Sequence, residues 1–109
     1  MAVNKMADVR ITVIKKLKTD EVFKMYARDG MPEECGTMKE DVEYISKGMG
    51  MPEGFCPWAW ADIQRDVVHI SLGGEYPWVK GDGVMITCCT DGLRPVVFKL
   101  ERIEEEEKT

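Results

Sequence analysis

VMITCC (Val84–Cys89), TDGLR (Thr90–Arg94) and PVVFKLERI (Pro95–Ile103) follow one another near the end of the chain, and their reading decides the fold. In the last run Val96, Phe98 and Leu100 alternate with Val97, Lys99 and Glu101. That period of two marks a strand with one face in a core. The link between the runs is short and holds Asp91-Gly92, so the two strands return on each other as an antiparallel hairpin.

Outward from the hairpin, Val9, Ile11 and Val13 alternate with Arg10 and Thr12, which predicts an N-terminal strand joining the same sheet. Thr19 precedes Asp20, Glu21, Val22, Phe23 and Met25. A hydroxyl cap followed by acidic residues suits a helix start, and Asp29-Gly30 suits its end. Val22, Met25 and Tyr26 would share one face of it. Val42–Ser46 reads as a short strand, with loops at Met31–Gly36 and Lys47–Phe55.

The second helix has the clearest signature. Pro57 fits a first helical turn, and Trp60, Ile63, Val67 and Ile70 follow as an apolar stripe. Asp62, Gln64, Arg65, Asp66 and His69 fall off that stripe, and Gly73-Gly74 ends the helix. Glu75–Val79 reads as an ordered loop and Lys80–Gly83 as a turn. The expectation is therefore an α+β fold: a small antiparallel sheet, made of the N-terminal strand and the C-terminal hairpin, with two helices packed on one face. One domain would span residues 1–103, followed by an acidic tail over 104–109.

Composition narrows the function classes. The chain has 109 residues, 44% of them hydrophobic and 32% charged, enough for a modest core without a metal or disulfide. A formal net charge of −5 opposes attraction to phosphate backbones and anionic lipid. No nucleic-acid or membrane partner is expected. The opening MAVNKMADVR lacks a signal-peptide profile, which predicts a cytoplasmic protein with reduced thiols.

The cysteines are Cys35, Cys56, Cys88 and Cys89, and none forms a C-x-x-C pair. Cys56, directly before Pro57, would sit at a helix N-cap, where the helix dipole favours the thiolate that binds metals and attacks electrophiles. A small buried apolar residue is the competing reading. If Cys88 and Cys89 both lie in a regular strand, their side chains point to opposite faces, a limit that a bend at Cys88 would relax. At most three of the four thiols, Cys35, Cys56 and one of the pair, can then share a centre. Soft ligands of this kind take zinc, iron or an iron–sulfur cluster rather than calcium or magnesium.

Other side chains invite weaker readings. His69, the single histidine, reads as a solvated surface residue. Trp60 belongs to the core stripe, whereas Trp58 and Trp78 lie near loops and suit a ligand or partner surface. Arg94, held extended by Pro95, could grip an anion or pair with Asp91 within its own loop. Phosphate-binding glycine loops, G-x-S-x-G and H-E-x-x-H are all missing.

Two blocks, MPEGFCPWAWADI (Met51–Ile63) and ITCCTDGLRPVVFKLERI (Ile86–Ile103), resemble a family of short prokaryotic proteins common in anaerobes. LGGEYPW (Leu72–Trp78) is similar to it as well, and the opening VRITVIKK (Val9–Lys16) more loosely. The resemblance implies one domain and supplies no catalytic residue. It lends weight to an oxygen-sensitive thiol or iron–sulfur role, and it matches Cys35 to a cysteine that precedes an extended segment.

Three functions compete on these grounds. The first is a cysteine-dependent metal or iron–sulfur binding module using Cys35, Cys56 and Cys88 or Cys89. The second is a non-catalytic interaction protein, a homodimer or accessory subunit, meeting its partner through Trp58, Trp78 and the exposed hairpin. The third is a thiol enzyme with Cys56 as nucleophile and Arg94 orienting an anionic substrate.

Overall fold

The computed structural model describes residues 6–104, so only Glu104 of the expected acidic tail lies within it. Six elements follow in order: β1 (Val9–Lys16), α1 (Glu21–Tyr26), β2 (Glu43–Ser46), α2 (Pro57–Ser71), β3 (Val84–Cys88) and β4 (Val96–Arg102). The strands form one antiparallel sheet in the order β2-β1-β4-β3. The expected N-terminal strand and hairpin are its centre and one edge. The short strand near Ser46 supplies the other edge, pairing Val9 with Ser46 and Thr12 with Glu43.

The alternation read in the sequence is the alternation that is buried. Val9, Ile11 and Val13 of β1, with Val96, Phe98 and Leu100 of β4, are at most 1% exposed. Ile63, Val67 and Ile70 of α2 close over them. Burying side chains of this size contributes roughly 1.5–3 kcal/mol each before entropy is subtracted. Register slips by one residue between Val13 and Lys15, where Ile14 bulges and breaks the alternation.

The other sheet face is ionic at its centre. Glu101 lies 3.7 Å from Arg10 and 3.3 Å from Lys99, and Arg10 also approaches Glu43 at 3.8 Å. The Arg10 pairs cross between strands and Lys99–Glu101 lies along β4, all at a solvated surface.

Only one helix packs as expected. The face of α1 that carries Val22, Met25 and Tyr26 is exposed, and α1 buries none of its residues. Six residues give a helix too little length to seat an apolar stripe, and Thr19 spends its hydroxyl on the Leu93 carbonyl, 2.9 Å away, instead of capping. α2, at fifteen residues, starts with Cys56 as N-cap and Pro57 in the first turn. Its C-terminus is held by Arg102, whose guanidinium donates to the carbonyls of Ile70 and Gly74, each at 3.1 Å.

Among the described residues no helix is long and apolar enough to cross a membrane.

Candidate functional site

Three segments far apart in sequence meet at one end of α2. The loop before β2 is pinned by Met38, which is 1% exposed, and that anchor brings Cys35 against the core. The loop before α2 is pinned by Phe55, which meets Tyr44, Trp60 and Phe98 at ring separations of 5.0, 6.1 and 5.5 Å. That aromatic cluster fixes the start of the helix and so the position of Cys56. The third segment is the β3–β4 turn, where Cys89 follows the last residue of β3.

The hairpin turn is braced from two sides. Asp62 of α2 accepts the backbone N–H of Thr90 at 2.7 Å and its hydroxyl at 2.9 Å. Asp91 accepts the backbone N–H groups of Leu93 and Arg94, at 3.0 and 3.3 Å, and pairs with the Arg94 side chain at 3.3 Å. Of the two readings of Arg94, pairing within its own loop is the one observed. The pair is fixed at the wall of the cavity, where Asp91 offsets the charge of the arginine.

Together these segments enclose a cavity of about 570 Å³. Cys35, Cys56 and Cys89 all line it, with Trp58, Arg94 and Met38. Cys89 is 9% exposed, and its sulfur accepts the backbone N–H of Val96 at 3.3 Å. Cys56 presents the first turn of α2 to the same space, and its own side chain makes no capping bond.

Cys88, the last residue of β3, is outside the cavity lining, whereas Cys89, just past the strand end, is part of it. Cys88 is exposed, and its thiol donates to the Cys89 carbonyl at 3.2 Å. Desolvation, reinforced by Cys89, raises its pKa above the ordinary thiol value. Cys88 lies outside the cavity that the other three thiols line.

The three remaining thiols share a wall, not a point. Among the described residues, no three His, Cys, Asp or Glu side chains group as the ligands of a single ion would. The two exposed tryptophans are separated as well. Trp58, 65% exposed, lines the cysteine cavity, whereas Trp78, 71% exposed, lines depressions beside Tyr76 and over β3. His69 is exposed and its Nε2 lies 3.3 Å from the Glu75 carbonyl, a surface residue as its position suggested.

Two positions that organise the site escape the sequence reading. Met38 and Phe55 are core residues carried by loops, where no periodicity marks them. Asp66 is 3% exposed although its charge suggested solvent. Its spacing from Ala59, Ile63 and Ile70, all buried, was the signal that could have placed it. Comparison of the chain with protein-family models, with curated proteins and with solved structures found no match.

Proposed function

We propose that the protein is a cytoplasmic binding module that holds an iron–sulfur cluster on Cys35, Cys56 and Cys89. The observation that carries this reading is that three thiols from three separate segments line one cavity. A single zinc or iron ion needs its ligands on one point. A cluster presents several irons to separate thiolates around a volume, which suits thiols spread over a common wall. The backbone N–H donated to the Cys89 sulfur is the kind of hydrogen bond that tunes such centres. The α2 N-terminus, which starts at Cys56, favours a ligand with net negative charge.

Anaerobic reconstitution with ferrous iron and sulfide tests the reading. Tag-free protein is expected to retain both elements in fixed proportion and to gain visible absorption. The Cys35→Ser, Cys56→Ser and Cys89→Ser variants each lose that signal, and Cys88→Ser keeps it. Iron and sulfide no higher in the wild type than in the triple variant would overturn the proposal.

A second reading rests on a different surface. Trp78, Val84 and Ile86 line an open depression on the face not covered by α2, with Ile86 42% exposed on the edge strand. That patch suits contact with a second copy or a larger subunit. Light scattering of the wild type beside Ile86→Glu checks it. A wild type that stays monomeric at every concentration tested removes the homodimer.

A further inference from the structure

A second cavity, of about 360 Å³, lies farther along α2, beside Asp66 and His69. Arg65, Asp66, His69, Tyr76, Trp78 and Met85 line it. Its floor is a carboxylate with an unmet need. Asp66 is 3% exposed, and its Oδ1 accepts the Tyr76 hydroxyl at 2.7 Å. Its Oδ2 is buried with no hydrogen-bond partner among the described residues. A buried carboxylate oxygen left without a donor is costly, and such an atom calls for a group that supplies one.

The surrounding walls say what kind of group. Tyr76 packs edge-on between His69 and Trp78, with ring separations of 4.9 and 5.3 Å. Indole and phenol rings attract cations through their faces. Burial, then the bond to Asp66, holds the Tyr76 hydroxyl protonated well above the ordinary phenol range, so the ring stays a neutral donor. Arg65 is the one cation at the rim. Its guanidinium lies 3.9 Å from Oδ1 and its side chain is 86% exposed, so water screens the pair.

We propose that this cavity binds a small organic ammonium ion bearing N–H groups, held against the Tyr76 and Trp78 rings with the Asp66 carboxylate as its acceptor. The ammonium displaces the loosely held Arg65 side chain and completes the carboxylate's hydrogen bonding. A free amine and a lysine side chain offer the same chemistry. The site is independent of the cysteine cavity and stands or falls separately from it.

Titration of the intact protein with butylammonium, followed on the Trp78 indole and His69 ring signals by NMR, tests the assignment. A saturable shift is expected. Tetramethylammonium, with charge but no N–H, should bind about tenfold more weakly, as a charged hydrogen bond is lost. Asp66→Asn should weaken butylammonium by about tenfold or more for the same reason. Trp78→Ala, followed on His69, should weaken it about two- to fivefold. Arg65→Gln should tighten it, and this exposed change keeps the test open if Asp66→Asn does not fold. Acetyl-lysine-amide with a free side-chain amine, run in parallel, separates the sources: tighter binding than butylammonium points to a peptide lysine, weaker binding to a free amine. A shift linear in ligand, one that butanol reproduces, or one unchanged in folded Asp66→Asn overturns the proposal.

Discussion

Asp62 on α2 accepts both the backbone N–H and the hydroxyl of Thr90, at 2.7 and 2.9 Å, and so joins the helix to the turn that carries Arg94. Thr90 lines the cysteine cavity, so this contact steadies one part of its wall. Asp62→Ala removes two bonds to a charged acceptor at a half-exposed position. It is expected to destabilise the chain by about 1–2 kcal/mol, read as a lowered midpoint in urea with unchanged slope. An unchanged midpoint would mean that the turn is held by Asp91 alone.

Core packing sets a larger scale. Phe98 is fully buried between the sheet and α2 and contacts Phe55. Phe98→Ala should cost about 3–5 kcal/mol, a large part of a small domain's stability. Thermal unfolding by circular dichroism should show either a much lower midpoint or no cooperative transition. A loss no larger than that of a surface substitution would contradict the packing described above.

Acid sensitivity centres on Glu75. Its carboxylate accepts the Gly83 backbone N–H at 2.7 Å and pairs with Arg102. The Gly83 bond first, and Arg102 next, lower its pKa below the ordinary 4.5. A depressed carboxyl pKa stabilises the fold above the unfolded value, and that stability is lost as pH falls through the folded value. Glu75→Gln should therefore flatten the fall in stability below about pH 4.5. Melting curves across that range for both proteins give the comparison, and parallel curves would refute it.

At the other end of the scale, Tyr76 should ionise late. Burial and Asp66 push its phenol up from 10. Its neutral form is favoured by folding, so its contribution is complete below pH 10 and is lost as pH rises toward the higher folded value. Ultraviolet titration should show a late tyrosine component above pH 10, and Tyr76→Phe should remove it. A titration curve that Tyr76→Phe leaves unchanged at its alkaline end would count against the Asp66 bond.

Glycine at 83 offers a backbone check. Its φ is +68°, and a Cβ there would stand 2.9 Å from the Arg102 guanidinium. Gly83→Ala should lower the melting temperature through both the strained backbone and the displaced arginine. Wild-type stability in that variant would show that the turn can relax.

The hairpin and α2 were legible because their apolar residues recur with the period of the element that buries them. Val96, Phe98 and Leu100 face inward for the same reason they alternate. The split of Cys88 from Cys89 was expected of a strand running through both, but β3 ends at Cys88, and it is the turn that carries Cys89 into the cavity wall. Met38 and Phe55 gave no such signal, since a loop residue is buried by what folds over it rather than by its neighbours in sequence. Val22, Met25 and Tyr26 erred in the opposite sense: a correct apolar face on a helix too short to reach the core. Asp66 was hidden by its charge, which becomes tolerable inside only because Tyr76, from a loop ten positions on, turns its hydroxyl toward it.

The charges centred on Glu101 carry a lesson about assembly. A sheet covered by helix on one side only is a plate with a bare back, and bare backs invite stacking. Here any second plate laid flat on the middle of the first would have to dehydrate or pair Arg10, Lys99 and Glu101 together. Ions thus set the terms of contact at the middle of this face, whereas the margin along Val84 and Ile86 carries less of that cost.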